Sequence, residues 1–435
     1  MQDRRILVLT RLISGTVDPA EAALLLGLSL RSIRRLRARY LERGPATLAH
    51  GNRGRRPAHA LDPATSARVV QLAKTTYAGC NDSHLAELLA EREGLSLARA
   101  TVQRILRAAG LKSPRRHRPA RYHGRRERRV AAGMLVQLDG SKARWFGAAQ
   151  PFGTLVAAID DATSEVCGAI FREQEDAAGY FIVLGQLLAE RGVPLAVYSD
   201  RHGIFQVDRA VRESRAEELA GVREPTQLGR AFVELGVETI FAHSPQAKGR
   251  VERLFGTLQD RLVAELRLAG ISTIEAANRF LPTYLPRHNA RFAVAPAEPR
   301  PAWRALPAAL PVEAVCCFKY SRVVATDNTV RFLGTTIQLP PRGTHWSWSG
   351  QRVELRQHLD GAFSVHAPGG RELARSAVPA TPPLLRAQPL SRRPVPSVGS
   401  LPVRGATSPW RNDDRWRPGT AQRIIARATA KGRSY

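Results

Sequence analysis

Cysteine is scarce in this sequence, and long apolar runs are absent. Four cysteines in 435 residues show no C-x-x-C spacing, and two of them, Cys316 and Cys317, are adjacent, so a disulfide framework is excluded. No stretch of 18 consecutive apolar residues occurs, which argues against a transmembrane helix, and the first residues lack the pattern of a signal peptide. We therefore expect a protein of the reducing cytoplasm that has no membrane partner.

Acidic residues are also few compared with basic ones. The sequence contains 38 Asp and Glu but 66 Lys and Arg, which leaves a net charge of +28 at neutral pH. A surplus of this size attracts polyanions, so nucleic acid is the expected partner. The apolar fraction of 43% and the charged fraction of 24% are ordinary for folded proteins. The length suggests about three domains.

Residues 1–48 carry the pattern of a helix-turn-helix. Asp18 is placed to cap a short helix that ends at Gly27, and Ser29 is placed to cap a second, basic helix. In a helix-turn-helix the second helix enters the DNA major groove, where its early side chains contact bases and its cations contact phosphates. The predicted DNA contacts of this helix are Arg31, Arg34 and Arg35. The alternative is a pair of ordinary helices with a solvent-exposed basic face.

Residues 62–111 repeat this pattern. Three helices are predicted, and Ser96 is placed to cap the third. Two such modules in one chain strengthen the prediction of DNA binding. The side chains predicted to face DNA from the third helix are Arg99, Thr101, Gln103 and Arg104. Residues 49–61 and 112–130 are interpreted as basic linkers, and we expect the second to be exposed and to neutralise phosphates rather than to pack.

The pattern changes to short apolar runs in residues 131–295, the predicted α/β core. Runs typical of strands lie, in chain order, at 134–138, 154–159, 166–171, 195–198 and 237–241. Predicted helices lie at 177–190, 226–235 and 246–268. Three strands followed by alternating helices and strands predict a mixed five-stranded sheet. Residues 310–370 predict a small C-terminal β-barrel, and residues 376–435, rich in Pro, Arg and Ser, predict a mostly disordered basic tail.

Three acidic residues fall where such a sheet brings side chains together. Asp139 ends the first strand, Asp200 directly follows the fourth, and Glu252 lies in the long helix. Carboxylates arranged in this way can hold two Mg²⁺ or Mn²⁺ ions about 3.5 to 4 Å apart, which stabilise the attacking and leaving oxygens in phosphoryl transfer. The sequence therefore predicts a two-metal catalytic site. Lys248 and Arg250, just before Glu252, are placed to position a phosphate backbone.

Other residues near these acids have a simpler interpretation beside a functional one. Asp160 and Asp161 follow the second strand and could be metal ligands, but acids at that point more often cap a turn. His202 and His243 could assist proton transfer, although a histidine near a loop is more often a hydrogen-bonding surface residue. Trp145 could stack on a DNA base, and core packing is the safer interpretation.

The segment around Glu252 carries a family resemblance. It has the sequence H-S-P-Q-A-K-G-R-V-E-R, while Asp139 lies in V-Q-L-D-G-S and Asp200 in Y-S-D-R-H-G. These motifs resemble the catalytic core of the DDE transposases and retroviral integrases, and the whole layout is similar to bacterial insertion-sequence transposases of the ISNCY group. The resemblance implies an RNase H-like core in which Asp139, Asp200 and Glu252 are the catalytic, metal-binding triad. It also implies a bacterial, nucleoid-associated protein that acts on double-stranded DNA, both element ends and target, as a homo-oligomer assembled on that DNA.

We therefore expect a transposase that cuts the ends of a mobile DNA element and transfers the strands into target DNA. One alternative is a DNA-binding regulator without catalytic activity, and another is a metal-dependent nuclease without strand transfer. The presence of all three acids argues against the regulator, and two helical modules with a basic tail favour strand transfer over cleavage alone.

Overall fold

The computed structural model describes residues 2–48, 61–112, 126–199, 203–205, 225–241, 249–342, 347–379 and 385. Several predictions from the sequence fall outside these residues: Asp200, His202, His243, Lys248, most of the two basic linkers, and the tail from 386 onward. The chain divides into two compact units, Met1–Gln71 and Leu72–Tyr435.

The first unit contains the segment predicted as a helix-turn-helix and most of the helix Pro63–Lys74. The helices of that segment are α1 (Gln2–Ile13), α2 (Pro19–Leu26) and α3 (Leu30–Arg43), followed by a 3₁₀ turn at Pro45–Leu48. As predicted, Asp18 caps α2 by accepting from two backbone N–H groups, and Ser29 caps α3. Leu9, Ala22 and Ile33 are buried in a small apolar core shared by the three helices. Leu41, which has helical spacing with Ile33, is exposed.

Three further helices cover the predicted second module. They are α4 (Pro63–Lys74), α5 (Asp82–Glu93) and α6 (Arg99–Ala108). Asn81 caps α5 with its side-chain oxygen. The prediction that Ser96 caps α6 is wrong, because the helix begins later, at an N-cap Ala98 that makes no side-chain hydrogen bond.

A mixed five-stranded sheet forms the centre of the second unit, as the sequence predicts. Its strands are β1 (Val136–Ala143), β2 (Gly153–Asp160), β3 (Val166–Arg172), β4 (Ala196–Ser199) and β5 (Glu238–Phe241). They lie in the order β3-β2-β1-β4-β5. The first three strands pair antiparallel, whereas β4 runs parallel to both β1 and β5.

Helices cover both faces of this sheet. They are α7 (Ala177–Glu190), α8 (Gln227–Glu234), α9 (Gly249–Leu268) and α10 (Ile274–Phe292). Because side chains alternate along a strand, Val156 and Ala158 of β2 pack in the cluster of α7 and α8. Leu155, Ala157 and Ile159 pack in the cluster of α9 and α10. Both faces are therefore buried, and α9 lies across the sheet from α7.

Helix α10 has no counterpart among the sequence predictions. It contains Pro282 and Pro286, which lack a backbone N–H and usually end a helix. Tertiary contacts override this preference. Leu281 and Tyr284 are buried against α9, and Asn278 and Asn289 exchange hydrogen bonds with the backbone of β3.

Ionic contacts dock helix α5 on α9 within the second unit. Arg261 of α9 makes a bidentate pair with Glu87 of α5, with nitrogen–oxygen distances of 2.6 and 2.7 Å. The buried Glu265 carboxylate accepts from His84 at 3.0 Å and from Arg92 at 3.0 Å. Burial raises the pKa of Glu265, but His84 and Arg92 outweigh that effect and hold the pKa below its ordinary value. The carboxylate therefore stays ionised and fixes α5 to the core.

The C-terminal strands do not confirm the predicted small barrel. After the short helix α11 (Val312–Val315), the strands are β6 (Phe318–Val323), β7 (Thr329–Phe332), β8 (Thr335–Gln338), β9 (Arg352–Gln357), β10 (Phe363–His366) and β11 (Glu372–Arg375). Among the described residues they form a four-stranded sheet, β11-β10-β9-β6, and a separate β7-β8 pair. Their apolar side chains pack onto the core instead, as Phe318 does against Phe181, with ring centroids 5.2 Å apart. Leu385, in the predicted tail, is buried in the same cluster.

Two predictions concern features that the sequence lacks, a disulfide framework and membrane-spanning helices. All four cysteines are buried and free, which confirms that they form no disulfide framework. Of the helices in the described ranges, none is both long enough and apolar enough to cross a membrane.

The end of the second basic linker differs from prediction, because Arg126 pairs with the buried Asp161 and Arg128 donates to the turn that follows β2. Residues 126–130 therefore pack on the core.

Acid should weaken the α9–α10 packing through His288. Burial, and to a smaller extent Arg261, lowers the pKa of His288 to about 4. The unfolded chain, with an ordinary value near 6.5, binds the proton more readily. The stability from a neutral His288 is therefore complete above about pH 6.5 and is lost as the pH falls towards 4.

We expect His288→Leu to lower the acid sensitivity of the second unit. Melting temperatures measured between about pH 7 and about pH 5 should fall less steeply in this variant than in the wild type. Some slope will remain, because burial also lowers the pKa values of His358 and His366. Equal slopes for variant and wild type would contradict the assignment.

Candidate active site

Strand β1 directs Asp139 towards helix α9. Asp139 lies opposite Ala157 of β2 in the antiparallel ladder, and directly opposed residues share a face of the sheet. Ala157 belongs to the apolar cluster of α9 and α10. Asp139 is half-buried and makes further polar contacts within the protein. The first predicted acid is therefore on the side of the sheet that α9 covers.

Two hydrogen bonds fix α9 across β1 on either side of Asp139. Two residues before it, the Gln137 side-chain oxygen accepts from the backbone N–H of Val251 at 3.2 Å. Two residues after it, the Ser141 hydroxyl accepts from the Gln259 amide at 3.0 Å. Glu252 lies between these contacts on α9, in its first turn, and is exposed. The structure thus brings the segments that carry Asp139 and Glu252 together at one crossing of strand and helix.

The third predicted acid, Asp200, lies outside the described residues, directly after the end of β4. Within the ranges that the structure describes, no group of three His, Cys, Asp or Glu side chains is arranged to hold a metal ion. The described part of the site therefore contains two of the three predicted ligands.

Asp160 and Asp161 divide between two structural tasks. Asp160 caps the turn after β2, accepting from the backbone N–H groups of Ala162 and Thr163 at 3.0 and 2.9 Å. Burial raises the pKa of Asp160. Asp161 has no part in this cap. It is fully buried, and its oxygens accept from Arg126, from the backbone N–H of Arg129, from Gln137 and from Arg250.

Of the two basic residues predicted to position phosphate, the structure describes only Arg250. Lys248 lies outside the described residues. Arg250 has only 12% of its side chain exposed and donates to Asp161 at 2.8 Å. Burial lowers the pKa of Arg250, and the Asp161 carboxylate opposes that effect. The guanidinium of Arg250 is therefore engaged inside the protein.

Glu175 is a neighbour of the site that the sequence analysis missed. Its carboxylate lies against the backbone of Gly140, the residue after Asp139, so closely that a Cβ at Gly140 would be 2.7 Å from the Glu175 Cδ. The Tyr180 hydroxyl donates to the same carboxylate at 2.5 Å. The only signal in the sequence was the glycine that directly follows Asp139. A glycine inside a strand often marks a close approach of another group.

Most of the residues predicted to contact DNA are accessible. Arg31, Arg34 and Arg35 of α3 are exposed, as are Arg99, Gln103 and Arg104 of α6, whereas Thr101 is half-buried. Trp145 is fully buried and donates to the carbonyl of Ser141 at 3.0 Å. This confirms the core-packing interpretation of Trp145 over base stacking.

Comparison with known proteins assigns a family. A model of the homeodomain-like domain matches residues 32–106. A transposase of Sinorhizobium fredii, y4bF, is 36% identical over 367 residues, which cover 84% of this chain and 79% of the relative. The transposase for insertion sequence IS1202 of Streptococcus pneumoniae is 34% identical over 326 residues, covering 67% of this chain and 68% of the relative. The chain belongs to this family of transposases.

Solved structures of integrases also match this transposase, at low similarity. The intasome of simian T-cell lymphotropic virus is 16% identical with a TM-score of 0.29, and the match covers 70% of the transposase and 95% of that chain. The HTLV-2 integrase catalytic core domain in complex with magnesium is 14% identical with a TM-score of 0.24, over 34% and 83% of the two chains. TM-scores this low do not establish a shared fold, so the family assignment rests on the sequence relatives.

The contact between Gly140 and Glu175 can be tested by substitution. In Gly140→Ala the new methyl group would displace the Glu175 carboxylate from Tyr180, and we expect a loss of about 0.5–1.5 kcal/mol in the free energy of unfolding, because the carboxylate ends a flexible side chain and mainly its hydrogen bond is lost. Glu175→Ala should then cost less stability in the Gly140→Ala chain than in the wild type, because the hydrogen bond that it removes is already broken. Denaturant unfolding of the second unit measures both effects.

Gly249→Ala is the matched control, because no atom of the described residues lies within 4 Å of an added Cβ at the start of α9. It should be neutral or slightly stabilising. Additive effects of Gly140→Ala and Glu175→Ala in the double variant would rule out the contact.

Proposed function

We propose that this transposase cuts DNA at the ends of its mobile element and transfers the strands into target DNA. Asp139, Asp200 and Glu252 are the proposed catalytic residues. The observation that carries the proposal is the crossing of α9 over β1, where hydrogen bonds that Gln137 and Ser141 accept from α9 lie on either side of the positions of Asp139 and Glu252. Two acidic residues far apart in the sequence share one face of the sheet there.

The register of the sheet supports Asp200 as the third member. Val136 of β1 pairs with Val197 of β4, and Gln137 pairs with Tyr198, so paired residues differ by 61 in number. Asp139 and Asp200 also differ by 61. The register of the described part of this ladder therefore supports Asp200 as the proposed partner of Asp139.

The chemistry of these side chains fits a divalent cation. Carboxylate oxygens are the protein ligands that Mg²⁺ and Mn²⁺ prefer, and Mg²⁺ commonly takes only one or two of them together with water and substrate phosphate. Two bound ions would stabilise the attacking and leaving oxygens of an in-line displacement at phosphorus. The transposase itself would hold the ions through Asp139, Asp200 and Glu252.

The proposed reaction has two displacements at one site. Water first attacks the phosphodiester at the element end and releases a 3′-hydroxyl, and that hydroxyl then attacks target DNA. No covalent bond to the protein is required. Terminal sequences would be recognised by the exposed cations of α3 and of α6, and a homo-oligomer assembled on DNA would bring two ends together. Since Arg250 is held by Asp161, Lys248 is the better candidate to position the phosphate backbone. The C-terminal strands, if completed to a barrel, would support flanking DNA.

Conservative substitution of the acids tests this function. Asp139→Asn, Asp200→Asn and Glu252→Gln should each lower cleavage and strand transfer by at least about a thousandfold while leaving binding to element-end DNA unchanged, because they remove charge but not the DNA-reading helices. Labelled element-end duplexes with Mg²⁺ or Mn²⁺ report cleavage and joining. Gel-shift assays report binding.

Glu275→Gln provides the matched control, since Glu275 is also an exposed acid in the first turn of a core helix, α10. It should retain full activity. Strand transfer surviving in any of the three site variants would remove that residue from the triad. A wild-type chain that binds element ends but never cuts them would be a regulator, and one that cuts without joining would be a nuclease.

A further inference from the structure

Asp161 stands at the centre of a buried network that the proposed catalytic chemistry does not use. None of its surface is exposed, and four donors converge on its carboxylate. The Gln137 amide and the Arg250 guanidinium each approach to 2.8 Å, the backbone N–H of Arg129 to 2.9 Å, and Arg126 completes the set. The turn after β2 does not need this carboxylate, because Asp160 caps it.

The network fixes the orientation of the Gln137 side chain. A carboxylate only accepts hydrogen bonds, so the Gln137 amide must present its NH₂ group to Asp161. Its oxygen is then directed to the backbone N–H of Val251. If the amide turned over, its NH₂ group would oppose that N–H, donor against donor. Asp161 thus determines, through Gln137, whether the start of α9 has a hydrogen-bond acceptor on β1.

Helix α9 depends on such an acceptor at its start. The first backbone N–H groups of a helix have no partner within the helix, and a buried one without a partner is costly. Val251 is buried, and Gln137 supplies its acceptor. The adjacent Arg250 is held directly by Asp161, and its second terminal nitrogen donates to the Arg126 carbonyl at 3.1 Å. Both residues that precede Glu252 are therefore anchored by the same carboxylate.

Charge makes these anchors dependent on Asp161. Arg126 and Arg250 share this one carboxylate, and each raises the cost of burying the other. Removing one member of a buried ion pair leaves its partner uncompensated in a site of low dielectric. Without the negative charge, the two guanidinium groups would move towards water, and Arg250 would carry the first turn of α9 with it.

We propose that Asp161 is a positioning residue that, acting through Gln137 and Arg250, holds Glu252 in register with Asp139. The inference deepens the proposed function and rests on it for the role of Glu252. It assigns Asp161 no contact with substrate or metal. It also gives the two adjacent aspartates different roles, since Asp160 stabilises a turn and Asp161 sets the geometry of the acidic site.

Hydrogen–deuterium exchange of the full chain tests the structural half of this inference. Asp161→Asn should speed exchange of the first turn of α9, around 249–255, because the Val251 N–H loses its fixed acceptor. Gln137→Met, which removes only the link between Asp161 and Val251, should do the same with less effect on folding. Asp160→Asn is the matched control, with an equally buried carboxylate, and should speed exchange in the turn that follows β2 and at Gly133, but not in the first turn of α9.

Metal dependence tests the functional half. In Asp161→Asn and Gln137→Met, half-maximal cleavage should require roughly tenfold more Mn²⁺ or more, with activity partly restored at high Mn²⁺. In Asp160→Asn the requirement should stay at the wild-type value even if the melting temperature falls. A merely structural role for Asp161 would lower stability without moving the Mn²⁺ requirement.

The outcomes separate this inference from the proposed function. Unchanged exchange in the first turn of α9 in Gln137→Met, or an Mn²⁺ requirement that rises equally in Asp160→Asn, overturns the role of Asp161 even if the wild type cuts DNA. A wild type that never cuts DNA overturns the proposed function, while the exchange measurement still decides whether Asp161 anchors α9. If Asp161→Asn does not fold, Gln137→Met decides.

Discussion

The candidate site depends on one crossing, that of helix α9 over strand β1. The hydrogen bonds that Gln137 and Ser141 accept from α9 set both the position of the helix along the strand and the face of the helix that meets it. Successive side chains of a strand point to opposite faces of the sheet, so a slip of one residue in β1 would turn Asp139 to the opposite side. The antiparallel ladder with β2 prevents that slip, since it pairs all eight residues of β1.

Buried charged groups, more than apolar packing, fix the position of α9 at this crossing. The apolar residues of α9 pack in the ordinary way against β2 and α10, and they would tolerate small shifts of the helix. The buried carboxylates would not, because each needs its partners at hydrogen-bond distance. Asp161 fixes the start of α9 in this way, and Glu265 fixes a later turn against α5. A helix held at two points along its length by ionised groups has little freedom to rotate.

Much of the fold follows from the sequence, and the exceptions have physical causes. Four strands of the central sheet were predictable to within a residue or so because their apolar runs are bounded by turn residues, and helix α7 because its apolar stretch follows a capping Asp176. The prediction that Asp139 ends the first strand is wrong, because β1 continues in its ladder with β2 to Ala143 through residues that are not apolar. Helix α10 was not, since Pro282 and Pro286 oppose a helix locally and only contacts with α9 and β3 outweigh them. A barrel was predicted for the C-terminal strands because alternating apolar residues show that one face of each strand is buried. The alternation does not show which surface covers that face.

The site divides in the same way. Spacing and motif placed Asp139 and Glu252 at a strand and at a helix that do meet. The sequence could not separate Asp160 from Asp161, because the difference lies in partners such as Gln137 and Arg250 that are distant in the chain. Arg250 illustrates the same limit. A basic residue beside a proposed catalytic acid suggests a DNA contact, but the guanidinium of Arg250 is bound by the buried Asp161 carboxylate, which is distant in the sequence.

The docking of α5 on α9 has a consequence for how ionic strength affects this protein. Salt screens exposed charges over about 10 Å at 0.1 M, so contacts of the cations on α6 with a polyanion weaken steeply as salt is added. The Glu265 carboxylate, sealed from solvent between His84 and Arg92, is screened far less. Concentrated electrolyte would therefore release nucleic acid from the proposed contacts on α6 well before it loosened the docking of α5 on α9, so the protein would keep this helix arrangement after the release.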